Sequence, residues 1–331
     1  MKSKWWIGAL AALVVLVGGG LAASWAPDRP VESLKARWAA PASGSKFVDV
    51  RGMAVHYRDE GVRTDAEPIV LLHGTSASLH TWDGWAAELA KTRRVIRFDL
   101  PGFGLTGPFR GDGAGQWMNE DGGRYTPLNY AKFVVATLDA LGISQPVVLG
   151  GNSLGGQIAW ETADYLRATQ PARIAKLILV DAAGYPFESK SVPLGFRLAR
   201  IEGLAPLLEN TLPRGLVETS VKNVYGDPSK ITPELVDRYY ELTLREGNRR
   251  ALGLRMRERM ALAPERIANI TQPTLIIWGG QDRLIPPING ERFAKDIAGS
   301  KLVKFETLGH VPHEEDAMQT VAAVQAFLAG K

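Results

Sequence analysis

No cysteine occurs in the 331 residues. That absence removes disulfides, thiolate nucleophiles and cysteine-ligated metal sites, and it leaves the redox compartment open. Histidine is scarce, with five copies, so histidine-dependent chemistry has few places to sit. A strong excess of one charge is lacking as well. The net charge is +4, of which Lys2 and Lys4 supply two, leaving +2 for the rest. That is too little to argue for a nucleic-acid partner, and none is expected. Internal repeats are absent. What is there is ordinary globular composition, 45% apolar and 22% charged. The length suits one large α/β domain with an insertion, or two domains.

One long charge-free run stands out. Lys2 and Lys4 precede Trp5–Ala26, 22 residues without a charged side chain. That is long enough to cross a bilayer and long for a signal-peptide core. Pro27 after Ser24-Trp25-Ala26 disfavours cleavage there, and Trp5, Trp6 and Trp25 lie near the two ends, where interfacial aromatics belong. Residues 1–26 are therefore expected to be a transmembrane anchor, with a cleaved signal and secretion as the alternative. The two lysines place the rest of the chain outside the cytoplasm, on the periplasmic side if the source is bacterial. Residues 27–45, rich in Pro, Ala and Ser, read as a tether with a short helix in its middle.

From Lys46 onward short apolar strands alternate with helices. A hairpin opens the series (Lys46–Val50 and Ala54–Arg58). Ile69–Leu72, Arg94–Phe98, Pro146–Leu149, Ile174–Val180, Thr274–Trp278 and Lys301–Phe305 follow. This pattern predicts a mostly parallel sheet covered on both faces, built from residues 46–184 and 264–331. Between Tyr185 and Pro264 the strand signals stop. Helix-compatible pieces such as Leu194–Leu208 and Arg249–Leu262 take their place, so residues 185–263 are expected to form a helical lid. The five arginines at 249, 250, 255, 257 and 259 make the last lid helix basic, a face expected to meet solvent or anionic lipid. A smaller glycine-rich insertion, Leu105–Tyr125, contains Trp117 and Met118, which are expected at an apolar substrate pocket.

Ser153 sits at the centre of Gly151-Asn152-Ser153-Leu154-Gly155, after an apolar strand and before a helix-compatible stretch. Strand, tight turn and helix would hold the serine in a strained backbone conformation with its hydroxyl presented. A serine hydroxyl is a poor nucleophile at neutral pH and needs a base, itself oriented by a third group. His310, in Leu308-Gly309-His310-Val311, follows the last strand and fits the base. His313 reads as packing at a helix start. Asp282, after Thr274–Trp278, fits the acid, and Asp181, after Ile174–Val180, is its rival. Two backbone N–H groups, of Leu154 and Thr75, are expected to form an oxyanion hole. His73 beside Thr75 reads as a structural hydrogen-bonder. No metal or cofactor is required by this chemistry.

These pieces resemble the α/β-hydrolase fold superfamily over about residues 46–331. His73-Gly74-Thr75, Asp99–Gly104, Gly151–Gly156, Trp278–Asp282 and Gly309-His310 occur in the order that superfamily uses. The resemblance implies an eight-stranded sheet and a Ser-His-Asp mechanism. It makes Asp99–Gly104 a structural turn. The serine at position 153 argues against the aspartate-nucleophile dehalogenases and epoxide hydrolases. The Gly-Asn-Ser start is similar to that of carbon–carbon bond hydrolases acting on meta-cleavage products. Those carry a glycine-rich oxyanion loop and a Trp after the catalytic His, where this chain has Thr75-Ser76-Ala77 and Val311. The expectation is a serine hydrolase acting on a small-molecule carboxylic ester. Carbon–carbon hydrolysis, acyl transfer and a non-catalytic membrane-tethered binding module are the alternatives.

Overall fold

The computed structural model describes residues 19–20, 22–109, 123–258 and 262–330. Eight strands form one sheet in the order β1-β2-β4-β3-β5-β6-β7-β8. They are β1 (Lys46–Val50), β2 (Met53–Gly61), β3 (Ile69–Leu72), β4 (Arg94–Phe98), β5 (Val147–Asn152), β6 (Ile174–Val180), β7 (Thr274–Gly279) and β8 (Lys301–Phe305). Only β2 runs against its neighbours, pairing antiparallel with β1 and β4. The remaining pairs are parallel.

Alternate residues of the central strands feed two cores. Val70, Leu72, Leu149, Leu177 and Leu179 point to one face, and Ile69, Leu71, Val148, Ile178 and Val180 to the other. Strands buried on both faces must be apolar at every position, which is why they read as unbroken runs in the sequence. Helices α3 (Pro127–Ala140), α4 (Leu154–Leu166) and α10 (Ile288–Asp296) cover the first face. Helices α2 (Asp83–Leu89) and α12 (Ala317–Leu328) cover the second. Helix α3 starts as its sequence dictates: Thr126 Oγ1 accepts from Asn129 N–H, and Pro127 opens the first turn.

The region between β6 and β7 carries helices α5 (Leu194–Ala199), α6 (Ala205–Leu208), α7 (Arg214–Val224), α8 (Pro233–Thr243) and α9 (Asn248–Arg257). The single helix expected over Leu194–Leu208 is broken between Ala199 and Ala205. Pro206 explains the break, since it has no N–H and its ring would collide with the carbonyl four residues back.

No helix among the described residues is long and apolar enough to cross a membrane. The run that suggested an anchor or signal lies outside the described residues, apart from its end at 19–20 and 22–26. The stretch read as a tether is docked on the helical region. Trp25 bridges Thr211 and Arg29 bridges Arg245. Helix α1 (Val31–Trp38) buries Leu34 and Trp38, and Trp38 Nε1 donates to Glu241 at 2.7 Å.

Candidate active site

One residue separates β5 from α4, and that residue is Ser153, at φ 54° and ψ −112°. The turn closes only because glycines flank it. A Cβ on Gly151 would stand 2.2 Å from the Gly155 carbonyl carbon, and one on Gly155 would stand 2.1 Å from Leu72 O. The backbone fixes the serine from both sides: its N–H donates to Val180 O, and its C=O accepts from Gln157 and Ala183 N–H. The hydroxyl faces a cavity of about 690 Å³ that His310, Thr75 and Leu154 also line. Among the described residues the Ser153 hydroxyl makes no hydrogen bond.

His310 is held at three points. Its ring Nδ1 lies 2.7 Å from Asp282 Oδ2, so Nδ1 carries the proton and Nε2 is left as the accepting nitrogen. Its backbone N–H donates to Val224 O at 2.7 Å. Its carbonyl accepts from Asn152 Nδ2 at 2.9 Å. Asp282 is anchored in turn, its Oδ1 accepting from Leu284 and Ile285 N–H at 2.8 and 2.9 Å.

Asp181 reaches the same cluster: donor atoms of Asp181, Asp282 and His310 lie within 4.8 Å of one another. Its backbone is strained, at φ 43°, and its Oδ1 accepts from Gly279 N–H. Burial first, and the neighbouring Asp282 second, push its carboxyl well above the usual range and favour the protonated form. Of the two rivals, Asp282 is therefore the one that faces the imidazole as an acceptor. The three side chains could suggest a metal site, but His310 Nδ1 and Asp282 Oδ2 are bonded to each other. They do not converge as free donors on a common point.

The loop after β3, which carries Gly74 and Thr75, is built beside the serine. A Cβ on Gly74 would meet Asn152 Oδ1 at 2.8 Å, so glycine lets the loop close onto the elbow. Among the described residues neither the Thr75 nor the Leu154 N–H is engaged, and both residues line the cavity. Arg255 donates to Thr75 Oγ1 at 2.6 Å. His73 behaves as a structural group: Nε2 accepts from Leu100 N–H at 2.9 Å and Nδ1 lies 2.7 Å from Gly74 O. A carbonyl only accepts and an amide only donates, so the tautomer is fixed. Burial pushes its pKa down.

His313 does not approach the serine. It is buried, stacks on Trp82 with ring centroids 4.0 Å apart and contacts Thr81 Oγ1 at 3.1 Å. Asp99 organises the structural turn, accepting from Leu79 and Leu105 N–H and facing His56 Nδ1 at 2.7 Å. Burial alone would raise its pKa, but the His56 contact holds it well below the usual range. Trp117 and Met118, expected at an apolar pocket, lie outside the described residues, as does Arg259. The basic helix α9 departs from its expected solvent face. Arg249 and Arg255 are buried, the former paired with Asp28 at 2.6 Å.

Sequence reasoning missed Glu315. Its carboxylate accepts from Gly309 N–H at 2.8 Å, and from Gly226 and Asp227 N–H at 2.9 and 2.8 Å. It thus staples the His310 loop to the end of α7. The one available signal was a pair of acids, Glu314-Glu315, at the buried start of a short helix. Two of Glu315's three partners, Asp227 and Gly226, lie 88 and 89 residues away, beyond any local pattern.

A family model described as the α/β hydrolase fold matches residues 67–317. Among curated relatives, a 2-hydroxy-6-oxo-2,4-heptadienoate hydrolase of Pseudomonas putida is 28% identical over 297 residues, covering 86% of this chain and 96% of the relative. A solved meta-cleavage product hydrolase from Pseudomonas fluorescens superposes with a TM-score of 0.69 at 26% identity, covering 86% of this chain and 97% of its own. A thermophilic esterase from Thermogutta terrifontis, at 24% identity and TM-score 0.68 over 86% of this chain and 98% of its own, shares the fold. Fold, elbow and family match agree: the chain is a hydrolase of the α/β-hydrolase superfamily.

Proposed function

We propose that the protein is a serine hydrolase cleaving a carboxylic ester of an apolar small or medium substrate. The observation that carries this reading is the strained Ser153 facing one cavity with His310, whose Nδ1 is held 2.7 Å from Asp282. His310 Nε2 takes the Ser153 proton as Oγ attacks the acyl carbon. The Leu154 and Thr75 N–H groups receive the developing oxyanion. His310 then protonates the leaving alcohol and activates the water that releases the acid. Asp282 fixes the imidazole tautomer and stabilises the imidazolium. No cofactor takes part. The working division is a core of residues 46–184 and 264–331 with a lid over 185–263. An anchor in residues 1–26 would hold the catalytic domain outside the cytoplasm. Ser153→Ala should lower kcat on p-nitrophenyl butyrate by about 10⁴-fold or more. An unchanged rate rejects the assignment.

Carbon–carbon bond hydrolysis is supported by the names of the relatives, several of which are hydrolases of 2-hydroxy-6-oxo dienoates. The same serine, base and oxyanion donors would serve it. Rates on a vinylogous diketone and on a simple ester, measured side by side, separate the two.

A further inference from the structure

Ser24, almost at the end of the charge-free run, lines the cavity. That end is fixed by backbone pairing: Ala26 N–H donates to Asn210 O and Leu212 N–H to Ser24 O, both at 2.9 Å, around the Trp25–Thr211 bridge. The chain at Ser24–Ala26 is thus tied beside the cavity, just past α6, where Thr211 and Leu212 also line it.

Around that point large apolar side chains face solvent. Trp25 is 62% exposed, Ile201 50%, Leu194 49% and Leu207 41%; Leu207 also lines the cavity. Arginines stand among them. Arg197, Arg200 and Arg250 are exposed and make no ion pair among the described residues; one exposed acid, Glu202, lies with them, so the surface keeps an excess of positive charge. Short helices that expose apolar residues beside arginines, with a tryptophan at the edge, have the composition of a surface that lies in a lipid headgroup layer.

We propose that this surface, Leu194–Leu208 together with Trp25, rests on an anionic phospholipid bilayer, and that the cavity opens onto it. Resting on the ester-hydrolase reading, this names the substrate class: an acyl ester of a membrane lipid. Ser153 Oγ bonds to the acyl carbon and the carbon–oxygen bond to the lipid alcohol breaks. The alcohol leaves with the proton from His310, and water then releases the fatty acid. A second copy of the chain fits this surface less well. A two-fold mate would set three unpaired arginines against a single exposed acid, Glu202, whereas anionic headgroups complement the excess positive charge.

The cysteine-free chain makes the test direct. A single cysteine at Ile201 or at Met318, which is 62% exposed on α12, is labelled with an environment-sensitive fluorophore. The full chain is reconstituted in phosphatidylcholine vesicles with and without phosphatidylglycerol. The label at 201 should shift to the blue and be quenched by lipid-borne quenchers, more strongly with phosphatidylglycerol; the label at 318 should not. In parallel, Leu194→Asp with Ile201→Asp should cut fatty-acid release from vesicle phospholipid by about 10-fold, with p-nitrophenyl butyrate hydrolysis in detergent kept within about twofold. Equal emission at the two positions overturns the proposal, as does a shift at 201 that needs no vesicles and follows dimer formation. If the wild-type chain hydrolyses neither ester while the label still shifts, the ester reading fails and the docking surface stands.

Discussion

The serine elbow and the helical region above it are held by different means. At the elbow and at the end of β7 beneath the His310 loop, glycines lie against backbone: added Cβ atoms on Gly151, Gly155 and Gly279 would meet main-chain atoms at 1.9–2.2 Å, which no rotamer can relieve. In the helical region, Gly195, Gly203 and Gly215 have nothing within 4 Å; the close backbone contact there is at its join with the His310 loop, where a Cβ on Gly226 would meet Thr307 O at 2.3 Å. The elbow geometry is fixed by the main chain, and α5–α7 of the helical region carry glycines with open space around them. Stability and adaptability are thereby assigned to different segments.

Gly155→Ala should break the first half most severely. It should cost about 3 kcal/mol or more in chemical denaturation, or prevent folding; a cost under about 1 kcal/mol would mean the turn can relax. Acid should come next and act on the same half, because every histidine lies outside residues 185–263. Burial lowers the pKa of His73, His313 and His80, the last to about 3. The unfolded chain takes up those protons first, so stability falls as pH drops below about 6.5; His80 alone accounts for about 2 kcal/mol by pH 5. Asp181 and Glu161, raised by burial, act in the opposite sense and blunt the slope. His80→Gln should flatten the loss between pH 7 and 5 by about that amount. An unchanged slope in denaturant melts would place the proton uptake elsewhere.

Glu315 sits where the two regions join. Glu315→Gln should lower kcat about 10-fold, with KM and the melting temperature less affected. A fall in melting temperature at constant kcat would make it a structural staple only. The smallest effect belongs to the loose half: Gly195→Ala, inside α5, should raise stability by about 0.5–1 kcal/mol, read from the denaturation midpoint.

The strands and the elbow were legible in the sequence because burial on both faces forces unbroken apolar runs, and because the turn admits little besides glycine around Ser153. His310 was legible from its place after the last strand. Choosing between Asp282 and Asp181 was harder. Both stand at the ends of neighbouring strands and both are buried, so only their hydrogen bonds separate them. Backbone pairing hid the docking of residues 22–45, since bridges such as Trp25–Thr211 leave no side-chain pattern. Glu315 was hidden by distance along the chain, and the burial of Arg249 and Arg255 by partners far upstream at Asp28 and Thr75.

The central claim is that Ser153 is a nucleophile activated by His310. The most direct measurement is intact-mass and peptide analysis after a short exposure to a fluorophosphonate. One adduct on Ser153 is expected in the wild-type chain, none in Ser153→Ala, and labelling slowed by about 10³-fold or more in His310→Ala. An adduct on another residue, or equally fast labelling without His310, would contradict the account.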